Sequence, residues 1–251
     1  MGKLLSDPLT NYKAKKNKQL QVDTYFLSLA QSDLSGYNVC PMANKIRSKE
    51  NNPNKSNCSA VCVGSNGNAQ VFPKVMQARI KKTKRFFEDR QNFMNELVTE
   101  IAKAVIRSNN KGIKPTFRLN SYSDIHWENI KINKFGNNTI YELFPDIQFY
   151  DYTKLENRIT PPNYHLTYSH WGKWNATNKA INNKVNVAMV FNKNDQLPEK
   201  YNGLKVVDGD KNDLRTPEND GKGVIVGLLA IMSKQAMNNE LKKDISFIVN
   251  G

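Results

Sequence analysis

Between residues 116 and 228, short β-prone runs recur with long polar or helical stretches between them, and this alternation restricts the fold of the 251-residue chain more than any other feature. The runs cover 116–119, 147–150, 164–168, 185–191, 205–207 and 223–228, and an earlier one lies at 24–29. Connections that long are crossovers and not hairpins, so the six to seven strands predict an α/β fold with a mostly parallel sheet. Upstream, Phe86, Phe87, Phe93, Met94, Leu97, Val98, Ile101 and Val105 recur at three- and four-residue steps, which predicts a helical region over 69–109 with one apolar stripe facing the core.

Alternate residues of a strand share a face. Arg118 and Asn120, then Gln148, Tyr150 and Tyr152, then His165, Thr167 and Ser169 form polar sets, whereas Phe117, Leu119, Ile147, Phe149, Tyr164, Leu166 and Tyr168 form the opposite, apolar ones. A parallel sheet covered on both sides is apolar on both faces, so the polar face points to a cavity, the alternative being the solvent-exposed face of an antiparallel sheet. Arg118 in such a cavity needs an acidic partner, and Asp124, Asp151 and Glu128 are the expected candidates. Polar clusters follow strand after strand: Asn120 to Asp124, Asp151 to Lys154, Ser169 and His170, Asp208 to Asp210, and Asp213 to Arg215. Parallel α/β folds place ligands at these carboxyl ends.

Three cysteines, Cys40, Cys58 and Cys62, fall in the loop 30–68, which also carries a polar insert at 47–57. A loop of that length inside a domain needs something to organise it. The odd number argues against a disulfide framework. Three thiolates suit a [4Fe–4S] cluster with one open iron. A zinc site would need a distant histidine, since His126, His165 and His170 all lie outside the loop, and buried free thiols are the third reading.

The 37 Lys and Arg residues against 23 Asp and Glu give a formal charge of +14. The basic run Lys81, Lys82, Lys84 and Arg85, with the lysine-rich first 22 residues read as a flexible arm, suits non-specific contact with nucleic acid. Residues 23–251 are read as a single α/β domain. The longest apolar stretch, 223–232, is too short to span a bilayer, and the start of the chain lacks a signal peptide's apolar core, which predicts a cytoplasmic protein.

The blocks LSGYNVCPMANK, QARIKKTKRFFEDRQNF, FRLNSYSDIHWE, FPDIQFYDYTK, NYHLTYS, VVDGDKNDLR and GVIVGL together resemble, in this order, the "gene product eighty-eight" domain of bacteriophage genomes. The layout of strand, three-cysteine loop, helix and second strand ending in small polar residues is also similar to radical S-adenosylmethionine enzymes, although their usual cysteine spacing is absent. That likeness implies a partial (β/α) barrel in which a cluster on Cys40, Cys58 and Cys62 binds S-adenosylmethionine and cleaves it reductively. Asn120, Ser121, Asp124, Thr167, Ser169, Asp208, Asp210 and Arg215 are then the expected cofactor contacts. Tyr150, Asp151, Lys154 and His165 are the expected catalytic side chains. The rival reading is a non-catalytic nucleic-acid-binding protein with a structural metal.

Overall fold

A computed structural model of the protein describes residues 2–10, 12–42, 62, 72–192, 196–231 and 247–251. Its strands are β1 (Leu5–Ser6), β2 (Val22–Leu27), β3 (Lys114–Arg118), β4 (Gln148–Thr153), β5 (Tyr164–Ser169), β6 (Val187–Phe191), β7 (Lys200–Tyr201), β8 (Leu204–Asp208), β9 (Ile225–Leu229) and β10 (Ile248–Val249). They form one ten-stranded sheet in the order β1-β2-β3-β4-β5-β6-β9-β8-β7, with β10 paired to β6. Pairing is parallel from β2 through β8 and antiparallel only at the β1–β2 and β7–β8 ends. The helices are α1 (Tyr12–Asn17), α2 (Pro73–Glu88), α3 (Arg90–Asn109), α4 (Ile140–Leu143), α5 (Trp174–Asn182) and α6 (Pro217–Asp220).

The seven expected strands are β2, β3, β4, β5, β6, β8 and β9. The additional β1, β7 and β10 are two residues each, too short for alternation to register in a sequence. Because β1 precedes β2, the cysteine-bearing loop follows the second strand and not the first. The helical region is likewise divided. Asp89 leaves the helical backbone with φ −139° and ψ 56°, so α2 and α3 are separate helices.

One face of the sheet is closed by helices. Tyr25, Phe117 and Phe149 pack with Leu97, Ile101, Phe86, Phe93 and Trp127 in the largest core. Val187, Met189 and Phe191 pack with Ala176 and Ala180 of α5 in a second core. These are the odd-numbered residues of β2, β3, β4 and β6, as the period of two requires.

The N-terminal residues, expected to be a flexible arm, are built into the fold. Leu4 and Leu5 are buried, Leu5 pairs with Leu27, and both their N–H groups donate to the Glu100 carboxylate at 2.8 Å. The physical reason is the exposed edge of β2, whose free ladder groups are satisfied by a short covering strand. Asn17, at the end of α1, is fully buried, donates to Thr24 Oγ1 at 2.7 Å and accepts from the Asp213 N–H at 2.8 Å. The segment therefore closes the lower part of the face that the large helices leave open. No helix among the described residues is long and apolar enough to cross a membrane.

Candidate functional site

The upper part of that open face is a cavity of about 480 Å³. Phe26 of β2, Arg118 of β3, Tyr152 of β4, Ser169 of β5, Ala188 and Val190 of β6 and Leu228 of β9 line it. The pairs Phe26–Arg118, Ser169–Ala188 and Val190–Leu228 are in register across neighbouring strands. Their side chains share one face at the carboxyl ends of parallel strands, where the polar clusters of the sequence predict a site.

Arg118 forms the floor. Its guanidinium lies over the Tyr152 ring at 4.8 Å and near Phe26 at 5.9 Å. Its Nη1 donates to both carboxylate oxygens of Asp213, at 3.1 and 3.2 Å. Of the three acids expected beside it, Asp151 approaches Nε at 3.8 Å, while Asp124 and Glu128 belong to Arg158 instead. Asp213, the actual partner, arrives on a loop 95 residues away. Burial by itself would ease the proton off Arg118, but Asp213, Tyr152 and Asp151 outweigh it and hold the group more firmly charged. Beneath the pair, the buried Tyr150 hydroxyl reaches Thr24 Oγ1 at 3.2 Å and Asp213 at 3.3 Å, so Tyr150 supports the floor and does not line the cavity.

The loop after β3 forms a second wall. Asn120 organises it: its carboxamide oxygen accepts from Ser123 Oγ at 2.7 Å, the Ile125 N–H at 2.9 Å and Trp127 Nε1 at 3.0 Å. Its amide nitrogen donates to the Ile125 carbonyl at 2.9 Å. Asp124 accepts from Arg158 Nη1 at 2.8 Å, Thr153 Oγ1 at 3.1 Å and the Lys154 N–H at 2.8 Å. Arg158 also grips Glu128 through Nε and Nη2, at 2.9 and 2.6 Å. Asp151 points to the helix-covered side, where it accepts from the Leu119 and Asn120 N–H groups and the Tyr164 hydroxyl. Burial pushes its carboxyl up to about 7, against Arg118, the Asn120 N–H and Arg158. It ties the ends of β3 and β4 together and is not on the cavity wall.

On the third wall Lys154 Nζ donates to Ser169 Oγ at 2.8 Å, beside the buried His170. The Thr177 hydroxyl donates to the Lys173 carbonyl at 3.0 Å, so at 2.7 Å from His170 Nδ1 it must accept. His170 Nε2 accepts from the Gly172 N–H at 3.3 Å. These partners fix a neutral imidazole with its proton on Nδ1. Burial first, and then the Lys154 ammonium, push its pKa down to about 4 from 6.5.

The unfolded chain therefore binds an additional proton between pH 6.5 and pH 4, and stability falls as the pH drops through that window. The expected loss is on the order of 3 kcal/mol. Urea unfolding of the wild type and a His170→Gln variant at several pH values checks this, because the difference between the two should shrink by that amount on acidification. A difference independent of pH would refute the assignment.

A family model for Gene product 88 matches residues 3–243. The chain belongs to the gene product 88 family. No curated protein matches it significantly, and no solved structure does.

In this gene product 88 chain, Cys40 and Cys62 both line the cavity, with the Cys40 thiol 3.4 Å from the Tyr122 carbonyl. Cys58 and the insert 47–57 lie outside the described residues, among which no three His, Cys, Asp or Glu side chains gather as a metal site. Of the other expected site residues, Asn120, Ser121, Asp124, Lys154 and Ser169 line the cavity. Tyr150, Asp151, His165, Thr167, Asp208, Asp210 and Arg215 do not. Thr167 and His165 sit lower on the same strand. Arg215 is buried against Asp220 at 2.8 Å and the Gly209 carbonyl at 3.1 Å. Asp208 and Asp210 fix the turn after β8: Asp208 accepts from the Asp210 N–H at 2.9 Å and Asp210 from the Leu229 N–H at 2.9 Å.

The basic run is divided. Lys81 and Lys84 are exposed, but Lys82 Nζ donates to the Leu4 carbonyl at 2.9 Å, and Arg85 is paired with Glu96. Sequence reasoning missed Arg158, Gln31 and Trp171 as builders of the site, and no spacing rule connects these loop residues to it.

Proposed function

We propose that the chain is an iron–sulfur enzyme of the radical S-adenosylmethionine type, on a partial (β/α) barrel, with Cys40, Cys58 and Cys62 holding a [4Fe–4S] cluster. One observation carries this reading: Cys40 and Cys62 line the same cavity at the carboxyl ends of parallel strands. The strand order adds support. From β2 to β6 each strand lies beside its predecessor, as in a sheet wound in one direction, with large helices on one side and a cavity on the other. The donor set fits as well, since soft thiolates at the edge of a half-buried pocket are the ligands such clusters take.

When bound, the cluster supplies an open iron for S-adenosylmethionine and the electron for its reductive cleavage. The chain's own residues would then orient and enclose. Asn120 and Asp124 hold the loops in shape, because their polar atoms are engaged within the fold. Ser121 and Lys154 remain to meet a ligand, and Phe26, Tyr152 and Trp171 keep water out.

The test is anaerobic purification with iron and sulfide reconstitution. We expect about four irons per chain, loss of that iron in Cys40→Ala, Cys58→Ala and Cys62→Ala variants, and release of 5′-deoxyadenosine when a reductant and S-adenosylmethionine are added. Protein that binds no iron, or holds it equally in all three variants, would sink the proposal.

Stoichiometric zinc would favour the second reading, a nucleic-acid-binding protein with a structural metal, which draws on the +14 charge and the exposed Lys81 and Lys84. With Lys82 and Arg85 turned inward, any nucleic-acid contact rests on a shorter basic stripe than the sequence suggests.

A further inference from the structure

Most polar groups on the cavity wall already have partners inside the fold. Each carboxylate that lines it is paired with a guanidinium, Asp213 with Arg118 and Asp124 with Arg158. The Asn120 carboxamide and the His170 ring are engaged on both sides. Arg118 Nε has no hydrogen-bond partner among the described residues and lies 3.8 Å from Asp151, and three further groups stand out. Gln31 is 5% exposed, and its buried Oε1 has no hydrogen-bond partner among the described residues. The buried Ser121 Oγ has none either. Lys154 has no acidic partner there, and its Nζ donates to Ser169 Oγ, which leaves two ammonium hydrogens and the Ser169 hydroxyl hydrogen to donate.

A buried acceptor without a donor costs free energy that a ligand can recover. An ammonium group beside a free hydroxyl is an anion-binding pair. The sheet order sets the direction of the site. Gln31 follows β2, Ser121 follows β3, Lys154 follows β4, and Ser169 ends β5. The acceptor and the cation are thus two to three strand spacings apart, roughly 10–14 Å at about 4.8 Å each. Between them Tyr122 and Tyr152 line the wall. The cavity, at about 480 Å³, falls in the range of small-molecule sites, roughly 300–1,000 Å³.

We propose that the cavity binds a ring-bearing anion of mononucleotide size, with its anionic end on Lys154 and Ser169 and a hydrogen-bond donor of its ring end on Gln31. This names the substrate class for the site described above and shares its cavity, but it does not depend on the cluster.

The experiment is calorimetric titration of the protein, as purified and after iron reconstitution, with three probes: AMP, adenosine and adenosine-5′-carboxylic acid. We expect at least one of the two anions to bind about tenfold or more tightly than neutral adenosine, with an affinity that falls as salt rises. Which anion does so distinguishes a phosphate from a carboxylate. Lys154→Met should abolish the anion's advantage and leave adenosine unchanged, while Lys154→Arg retains much of it. Gln31→Leu should weaken all three probes alike. Equal binding of the three, no binding of any, or an advantage that survives Lys154→Met would overturn the proposal. A protein without iron that still discriminates through Lys154 would remove the cluster and leave this inference standing.

Discussion

Replacing Arg158 with Met should lower the free energy of unfolding by about 3–5 kcal/mol, the cost of removing one partner from a buried ion pair. Its side chain is 2% exposed and sits between Asp124 at 2.8 Å and Glu128 at 2.6 Å, whose side chains are 10% and 6% exposed. Without the guanidinium two carboxylates remain in a poorly solvated place, close to the loop that forms one cavity wall. Arg158→Lys keeps the charge but cannot reproduce the two-pronged contact with Glu128, so an intermediate loss is expected. Urea unfolding measures both variants. A loss below about 1 kcal/mol for Arg158→Met would mean that the triad behaves as an exposed pair.

The second large effect is expected at the cavity floor. Arg118→Met leaves Asp213 and Asp151 without their shared cation, and we expect about 3 kcal/mol of destabilisation. The companion Asp213→Leu change should be costly alone for the mirrored reason. Combined, the two should recover most of the loss, because replacing both members of a buried pair with apolar groups is close to neutral. A double-mutant cycle in the same assay decides this. Additive losses would show that the residues act separately and that the floor is not organised by their contact.

Much of this arrangement was legible in the sequence, for a specific reason. The side-chain period of a strand is two, so one correct register at Phe117 and Arg118 assigns whole faces at once. Phe117, Phe149 and Leu166 indeed lie with the helix-packed core, and Arg118 lies in the cavity. The depth of each residue along its strand was not legible. Tyr150, Thr167 and His165 share the predicted face but do not line the cavity; Tyr150 lies against Thr24 and Asp213, and periodicity says nothing of what covers a face.

Pairings made by loops were equally hidden. Asp213 and Arg158 reach their partners through chain reversals that depend on the finished fold; a count of nearby acids found Asp151 but also put Asp124 and Glu128 beside Arg118, where Asp213 lies instead. Asp151 illustrates a related confusion. A polar residue at a strand's carboxyl end has the same sequence signature whether it meets a ligand or ties two strand ends together. The basic helix failed in part because an amphipathic cation is counted by charge, whereas Lys82 and Arg85 lie over the N-terminal segment and α3.

The placement of Asn17 and its neighbour also bears on how the chain is made. Lys16 Nζ donates to the Asp210 carbonyl at 2.6 Å, and Asn17 accepts from the Asp213 N–H, across 194 and 196 residues. Contacts of such separation raise the contact order and delay folding. On the ribosome, α1 is made 194 and 196 residues before these two distant partners. Until then the underside of the sheet is open, so nascent chains stopped short of Asp213 should depend on chaperones to keep that surface from associating.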